Sequence, residues 1–268
     1  MKNALISVAR SAYYAATEPR RLKNARLDNL DGWAGVWNRG DPLVSVIIPT
    51  HNRTELLTRA VSSVLHQDYR NIEVLVCAHG CTDGTEGHVR ALGDSRIRVL
   101  SVPRRQTYPA TARNHWLAGP VDPINVGLVH AKGRFFARID DDDEWAHFHL
   151  DRLVRFAQNG NHEFVSSAYL TNDRVVHHDD GKPPIGGVQT WVWRSYLRFM
   201  RANPDCYRKR WNAVNDTDLA DRFRRAGVRI GHLDEVTAYV FPRPGETVIG
   251  LKAYQQNRAE TEKRLAFK

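Results

Sequence analysis

The sequence contains little cysteine and no long apolar run. Its three cysteines are Cys77, Cys81 and Cys206. Three thiols cannot form the disulfide framework of a small secreted domain, so we expect a protein of the reducing cytoplasm. No run of about 18 apolar residues occurs, and no membrane-spanning helix is predicted. The N-terminal segment carries Arg10 and lacks a small-residue cleavage site, which argues against a secretory signal.

The chain also lacks internal repeats and low-complexity tracts. Its 268 residues, 42% hydrophobic and 26% charged, are typical of a globular protein large enough to bury a full core. The formal net charge of +9 favours an anionic partner. An anionic partner of this kind could be nucleic acid, an acidic membrane face or a phosphorylated substrate. A single basic cluster, by contrast, is more often a solvated surface that has no specific partner.

Residues 1–41 are predicted to form a basic helical arm before the main domain, residues 42–268. Apolar residues recur at helical spacing up to Ala16, and a basic stretch and a turn at Gly40–Pro42 follow. The basic residues are Arg20, Arg21, Lys23 and Arg26. We hypothesise that this arm lies on an anionic membrane or partner. The alternative is a helix packed on the main domain.

The main domain begins with alternating strands and helices. Strands are predicted at 44–48, 72–76 and 97–102, with helices at 56–65 and 85–92 between them. This alternation is typical of a Rossmann-like, mostly parallel α/β sheet with crossover helices. Ligands bind such sheets beyond the carboxyl ends of the strands, so the loops 49–53 and 77–85 are predicted to line the site.

The later elements are predicted with less regular spacing. Strands are expected at 133–139, 163–170, 174–177 and 191–193, and a helix at about 195–202. A second helix at 217–226 should end at Gly227. Two short strands and a basic C-terminal helix complete the prediction. We divide the domain into a nucleotide-binding half (42–145), an acceptor-side half (146–240) and a tail (241–268).

Four consecutive aspartates, Asp140 to Asp143, follow the strand at 133–139. Like charges packed together raise each other's pKa unless a cation neutralises them. Carboxylates suit hard divalent ions such as Mg²⁺ and Mn²⁺, which also bind phosphate oxygens. The alternative is a solvated acidic turn, but the position between an apolar strand and Trp145 favours a site.

Four motifs together resemble the inverting glycosyltransferases of family two, which have the GT-A fold. Pro49-Thr50-His51-Asn52-Arg53 resembles the family's opening, and Gly80-Cys81-Thr82-Asp83-Gly84-Thr85 its second motif. Ile139 to Trp145 resembles its Asp-x-Asp region. Asn215-Asp216-Thr217-Asp218-Leu219 resembles its late acidic motif. Together with Ala112-Arg113-Asn114, these motifs cover about residues 43–240 in the family's order.

The resemblance implies a metal-dependent transfer of a sugar from a nucleotide-diphosphate sugar to an acceptor hydroxyl. A UDP-sugar is the favoured donor, Mn²⁺ or Mg²⁺ the cofactor, and a sugar, a lipid-linked compound or a small molecule the acceptor. Asp142 and Asp140 would bind the metal, and Asp216 would be the general base. Spacing alone favours a helix cap at Asn215 or Asp216. The implied donor-binding residues are Pro49, Thr50, Asn52, His79, Asp83, Arg113, Asp140 and Asp141.

Several assignments remain open at this point. The second motif departs from the family pattern, because Ala78-His79 stands where two acidic residues are usual, and this puts the donor's base in question. Arg113 either contacts the diphosphate or pairs with the aspartates. Trp191, Trp193 and Trp211 form either an acceptor platform or part of the core.

Two other classes of protein compete with a glycosyltransferase. A nucleotidyltransferase usually has a glycine-rich phosphate loop after its first strand, and residues 49–53 contain no glycine. A non-catalytic nucleotide-sugar-binding relative would fit Ala78-His79 but not the intact Asp140, Asp142 and Asp216. No nucleic-acid-binding module is present in the sequence, so no nucleic-acid partner is predicted.

Overall fold

The computed structural model describes residues 2–33, 35, 39–105, 107–209, 214–243, 245–249 and 252–253. Within them, the helices are α1 (Lys2–Asp28), α2 (Leu30–Trp33), α3 (Thr54–Leu65), α4 (Thr85–Ala91), α5 (Ala112–Ala118), α6 (Val121–His130), α7 (His149–Asn159) and α8 (Asn215–Ala226). The strands are β1 (Val44–Thr50), β2 (Ile72–His79), β3 (Ile97–Val102), β4 (Phe135–Arg138), β5 (Asp143–Trp145), β6 (Phe164–Leu170), β7 (Val175–Val176), β8 (Val192–Arg194) and β9 (Ile230–Val240).

The strands form one mixed sheet in the order β3-β2-β1-β4-β8-β6-β9-β5, with β7 paired to β6. Strands β1 to β4 are parallel, as the sequence predicts. Strand β8 pairs antiparallel with both β4 and β6, and β6 pairs parallel with β9. The α/β architecture expected from the sequence, a sheet with parallel strands joined by crossover helices, is therefore present.

Burial on both faces explains why β1 is a continuous apolar strand. Val46 packs in the core layer that includes α3, and its neighbour Ile47 packs in the opposite layer with α6. At Gly127 of α6, a Cβ atom would lie 2.6 Å from Cγ2 of Ile47. Only glycine permits this close approach of α6 to the sheet, which brings the carboxyl end of β1 beside the loop before α6.

Two predicted elements differ from the structure. Residues 195–202 form only a short 3₁₀ turn, Ser195–Leu197, because the backbone at Ala202 bonds to the Asn125 side chain (both contacts 3.0 Å) instead of continuing a helix. The two predicted late strands are a single strand, β9, which pairs with β6 through an irregular register. The predicted C-terminal helix lies almost wholly outside the described residues. By contrast, α8 ends at Gly227 with φ of 82°, as predicted.

The N-terminal helix α1 packs on the domain through its inner face. Glu18 and Leu22 are buried there, and the Glu18 carboxylate accepts hydrogen bonds from the fully buried Arg222 of α8. Arg26 pairs with buried Glu163 at 2.6 Å. The inner face of α1 is therefore packed on the main domain, which is the alternative to membrane contact that the sequence left open. In the described part of the chain, no helix is long and apolar enough to cross a membrane.

Candidate active site

A cavity of about 300 Å³ opens at the carboxyl ends of β1, β2 and β4. This is the edge of the sheet that the strand order predicts for ligand binding. Seven of the residues proposed from the sequence line it: Pro49, Thr50, His79, Asp140, Asp141, Asp142 and Asp216. The N-terminal half of the chain and the start of α8 therefore contribute to one cavity.

The aspartate run is tied to the end of β1. The Thr50 hydroxyl donates a 2.7 Å hydrogen bond to buried Asp141. Arg53 approaches Asp141 at 2.6 Å and Asp142 at 3.3 Å. The Asp141 carboxylate accepts hydrogen bonds from both Thr50 and Arg53. It therefore joins the acidic loop to the end of β1 and the loop that follows it.

Asp140 and Asp142 are more exposed to the cavity than Asp141: the Asp142 side chain is 22% exposed although it also lies 3.7 Å from Arg243, whereas that of Asp141 is 5% exposed. Asp140 pairs with Arg138 at 2.8 Å and its side chain keeps 34% exposure. The loss of water contact raises the pKa of Asp142, and the charges on Asp141 and Asp140 raise it further, against the opposing effect of Arg53. Burial raises the pKa of Asp143 well above its usual range. When all four are ionised, Asp140 to Asp143 outnumber the three arginines that pair with them in the described part of the chain, Arg53, Arg138 and Arg243.

This excess charge fits a hard divalent cation. No group of three or more candidate metal ligands is arranged around one point among the described residues. Mg²⁺ in phosphate-handling sites, however, is usually held by one or two carboxylates together with substrate phosphates. Asp140 and Asp142 supply such a pair at the cavity wall, so the residues fit a metal that binds together with a diphosphate.

Asp216 lines the same cavity from the first turn of α8. It is partly buried, and this desolvation raises the pKa of its carboxyl, with Arg138 acting in the opposite direction. The N-cap of α8 is Val214, without a side-chain capping bond. Asp216 accepts a hydrogen bond only from the adjacent Thr217 amide, at 2.9 Å, among the described contacts. The helix-cap role suggested by spacing is therefore wrong, and the carboxylate faces the cavity.

Asp218, two residues further along α8, is in a different environment. It is buried, and it pairs with Lys209 at 2.5 Å and with Arg222 at 3.4 Å. It does not line the cavity. Asp218 therefore belongs to the contact between α1 and α8.

Three residues proposed from the sequence lie outside the cavity lining. Asn52 bonds to Thr82, accepting from its amide at 2.8 Å, and so joins the first two loops. Asp83 accepts from the Thr85 amide at 3.0 Å and the Thr54 hydroxyl at 3.2 Å. Arg113 is exposed on α5 and pairs with none of the four aspartates. Asn52 and Asp83 thus shape the loops that form the cavity.

At Ala78-His79, where the family usually has two acidic residues, His79 lies beside two other histidines, His51 and His115. His51 Nδ1 donates to the His79 carbonyl at 2.7 Å, which leaves Nε2 to accept from Arg104 at 3.1 Å. Burial, with His51 and Arg104 nearby, lowers the pKa of His79 to about 4. His115, which also lines the cavity, has a pKa lowered by burial to about 2. This wall therefore presents neutral imidazoles where the family has carboxylates.

Several lining residues were missed by the sequence reasoning. They include Arg138, Tyr169, Gln189 and Arg243, whereas Arg53 belongs to the loop 49–53 that the sequence predicts to line the site. Arg138 is the last residue of β4, and this position could have indicated it. No local signal marks the other three, which enter the cavity from the second half of the sheet.

The tryptophans belong to the core. Trp191 and Trp193 are 2% and 4% exposed and pack against Phe164 and Phe136. They cannot form an acceptor platform in this arrangement, and Trp211 lies outside the described residues.

Comparisons with known proteins identify the family of this chain. The family model described as glycosyl transferase family 2 matches residues 45–207, more than half of the chain. The chain is 33% identical over 138 residues to the Escherichia coli UDP-Glc:alpha-D-GlcNAc-diphosphoundecaprenol beta-1,3-glucosyltransferase WfgD, a match covering 51% of this chain and 50% of the relative. The chain thus spans about half the length of the curated relatives it matches.

Two solved structures show the same fold. S. aureus TarS in complex with UDP-GlcNAc has a TM-score of 0.58 and 21% identity, over 78% of this chain and 60% of that one. The Pyrobaculum calidifontis mannosyltransferase PcManGT, in complex with GDP-Man and Mn²⁺, has a TM-score of 0.58 and 18% identity, over 88% and 70% respectively. The late motif around Asp216 lies beyond the residues matched by the family model.

Proposed function

Because this chain belongs to glycosyl transferase family 2, we propose that it transfers a hexose from a UDP-sugar to the hydroxyl of a lipid-linked saccharide. Membership of this family sets aside the nucleotidyltransferase alternative. The observation that carries the proposal is that Asp216, Asp140 and Asp142 line the same cavity. This supports a proposed base and a proposed diphosphate-binding region that act on one substrate.

The donor is proposed to bind along the carboxyl ends of β1 and β2. Pro49, Thr50 and His79 line this part of the cavity. Asp140 and Asp142 would hold Mn²⁺ or Mg²⁺ against the diphosphate, and the bound ion would stabilise the charge that develops on the leaving group. Arg53 organises the acidic loop through Asp141 and Asp142.

Transfer then follows a single displacement with inversion at the anomeric carbon. The acceptor oxygen attacks that carbon, the bond to the diphosphate oxygen breaks, and UDP leaves. Asp216 accepts the proton of the acceptor hydroxyl. A carboxyl whose pKa is raised by desolvation is a stronger base than one in water, and so suits this role.

The acceptor class is proposed from the relatives. WfgD is named for a UDP-Glc donor and a diphosphoundecaprenol-linked acceptor, and it is 33% identical over the matched residues. The residues that line the acceptor side here, including Tyr169 and Gln189, come from β6 and the turn before β8.

The test is a transfer assay with UDP-glucose, UDP-N-acetylglucosamine and GDP-mannose, each with a synthetic lipid-diphosphate-linked N-acetylglucosamine and Mn²⁺. We expect a β-linked product from a UDP-sugar. Release of UDP without acceptor dependence, or exclusive use of GDP-mannose, would contradict the proposal. Formation of an α-linked product from an α-linked donor would contradict inversion.

A further inference from the structure

The outer face of α1 carries a continuous exposed stripe along the helix. Its members recur at spacings of three or four residues, apart from the adjacent pair at 8 and 9, and all are exposed: Leu5, Val8, Ala9, Ala12, Ala16, Arg20, Lys23 and Leu27. We refer to these eight residues as the outer stripe. Leu5, Val8 and Leu27 are 67%, 65% and 57% exposed, which is unusual for large apolar side chains that recur on one face.

The opposite face of α1 is fixed to the domain. Glu18 and Leu22 are 3% and 1% exposed, and Glu18 is paired with buried Arg222. Tyr14 lies under the Arg222 guanidinium, 3.7 Å from the ring centroid. Because the inner face is held by these contacts, the direction in which the outer stripe points is set by the fold.

The charge on the outer stripe is of one sign. Its first half is apolar, and Arg20 and Lys23 continue it on the same side of the helix. Neither pairs with a carboxylate in the part of the chain that the structure describes. From Leu5 to Leu27 the stripe extends for about 33 Å at the rise of an α-helix.

We propose that the outer stripe binds the surface of an anionic lipid bilayer, with α1 lying in the plane of the membrane. An apolar face continued by unpaired cations matches the boundary between acyl chains and acidic headgroups. A second copy of this chain fits less well, because an antiparallel pair of stripes would bury Arg20 and Lys23 against Leu5 and Val8 of the other copy.

The position of α1 connects this surface to the candidate active site. Arg222, which pairs with Glu18 of α1, belongs to α8, and the first turn of α8 carries Asp216. An enzyme held to the bilayer through α1 would therefore have its proposed base on a helix that is packed directly against the membrane-bound element. The inference goes beyond the proposed transfer reaction and stands without it.

The test is co-sedimentation of the full chain with vesicles of phosphatidylcholine alone and with vesicles of equal parts phosphatidylcholine and phosphatidylglycerol. We expect binding to the anionic vesicles to be at least about tenfold stronger. Arg20→Gln/Lys23→Gln should weaken it by roughly 25-fold, or about fivefold for each charge. Leu5→Gln/Val8→Gln should weaken it by about tenfold or more.

Matched control pairs are available elsewhere on the surface. Leu92→Gln/Val129→Gln removes two exposed apolar side chains, and Arg70→Gln/Lys132→Gln removes two exposed charges. Both controls should bind vesicles like the parent chain. Each variant must keep the parent's melting temperature and its thermal shift with UDP and Mn²⁺, which separates loss of membrane binding from loss of folding or of donor binding.

Three results would overturn the proposal. They are equal recovery with both vesicle types, equal loss in the control pairs, and a dimer seen by light scattering that Leu5→Gln/Val8→Gln abolishes while vesicle binding is absent. A failed transfer assay with intact vesicle binding would instead contradict only the proposed function.

Discussion

The substitution Asp216→Asn, compared with Asp218→Asn, separates a catalytic carboxylate from a structural one. Both changes replace a carboxylate by an amide of the same size on α8, two residues apart. Asp216 faces the cavity with one amide contact, whereas Asp218 is buried between Lys209 and Arg222. The same chemical change should therefore have opposite effects on activity and on stability.

We expect Asp216→Asn to lower the transfer rate by at least roughly 100-fold, because an amide cannot accept the acceptor's proton. Stability should not fall, since Asp216 has no ion pair to lose in the described part of the chain and burial already raises the pKa of its carboxyl. Asp218→Asn should cost about 3 kcal/mol of unfolding free energy, because it removes the buried carboxylate that pairs with half-buried Lys209 and fully buried Arg222. For a chain of this size that loss lowers Tm by roughly 6 °C or more.

The assays are acceptor-dependent product formation and thermal melting of both variants. The pH profile adds an independent readout. The raised pKa of Asp216 means that the parent's rate should increase as pH rises through that pKa and level off above it, where the carboxylate is ionised. Near-normal transfer by Asp216→Asn, or an unchanged acid limb in its pH profile, would refute the assignment of the base.

The remaining predictions concern the metal, a buried histidine and the contact between α1 and α8. Asp142→Ala should remove the Mn²⁺-dependent thermal shift with UDP while leaving the apo Tm unchanged or higher, and retention of that shift would show that the metal binds elsewhere. His79 is neutral in the folded protein with a pKa of about 4, so its contribution to stability is present above pH ~6.5 and is lost as pH falls through ~4. Denaturant titrations should show that the parent loses about 2 kcal/mol more than His79→Gln between pH ~7.5 and ~4.5, and equal losses would contradict this. Glu18→Gln should lower the free energy of unfolding by about 3 kcal/mol, because buried Arg222 loses the negative charge of its partner. A melting temperature equal to the parent's would show that this ion pair does not hold α1 on the domain.

Much of the parallel half of the sheet was predictable from the sequence. Strands β1 and β2 are mostly apolar because all of their residues are buried, whereas β3 at the edge of the sheet is partly exposed. The apolar residues of α3, between β1 and β2, recur at helical spacing. The rule that ligands bind at the carboxyl ends of parallel strands then located Pro49, Thr50 and His79, while the position of Asp140 to Asp143 after β4 located the acidic loop. These features follow from the order and periodicity of nearby residues, which can be read from the sequence without knowledge of tertiary contacts.

The tertiary structure decided what spacing could not. Asp216 and Asp218 have the same residue type and lie on the same helix, yet one faces the cavity and the other is buried in ion pairs, because the helix turns them through about 200° relative to each other. Tyr169 reaches the cavity from the carboxyl end of β6, Arg243 from the segment after β9 and Gln189 from the turn before β8, and pairing between strands distant in sequence places all three beside β4. The two faces of α1 likewise differ only because Glu18 meets Arg222, a contact across more than 200 residues that no local pattern encodes.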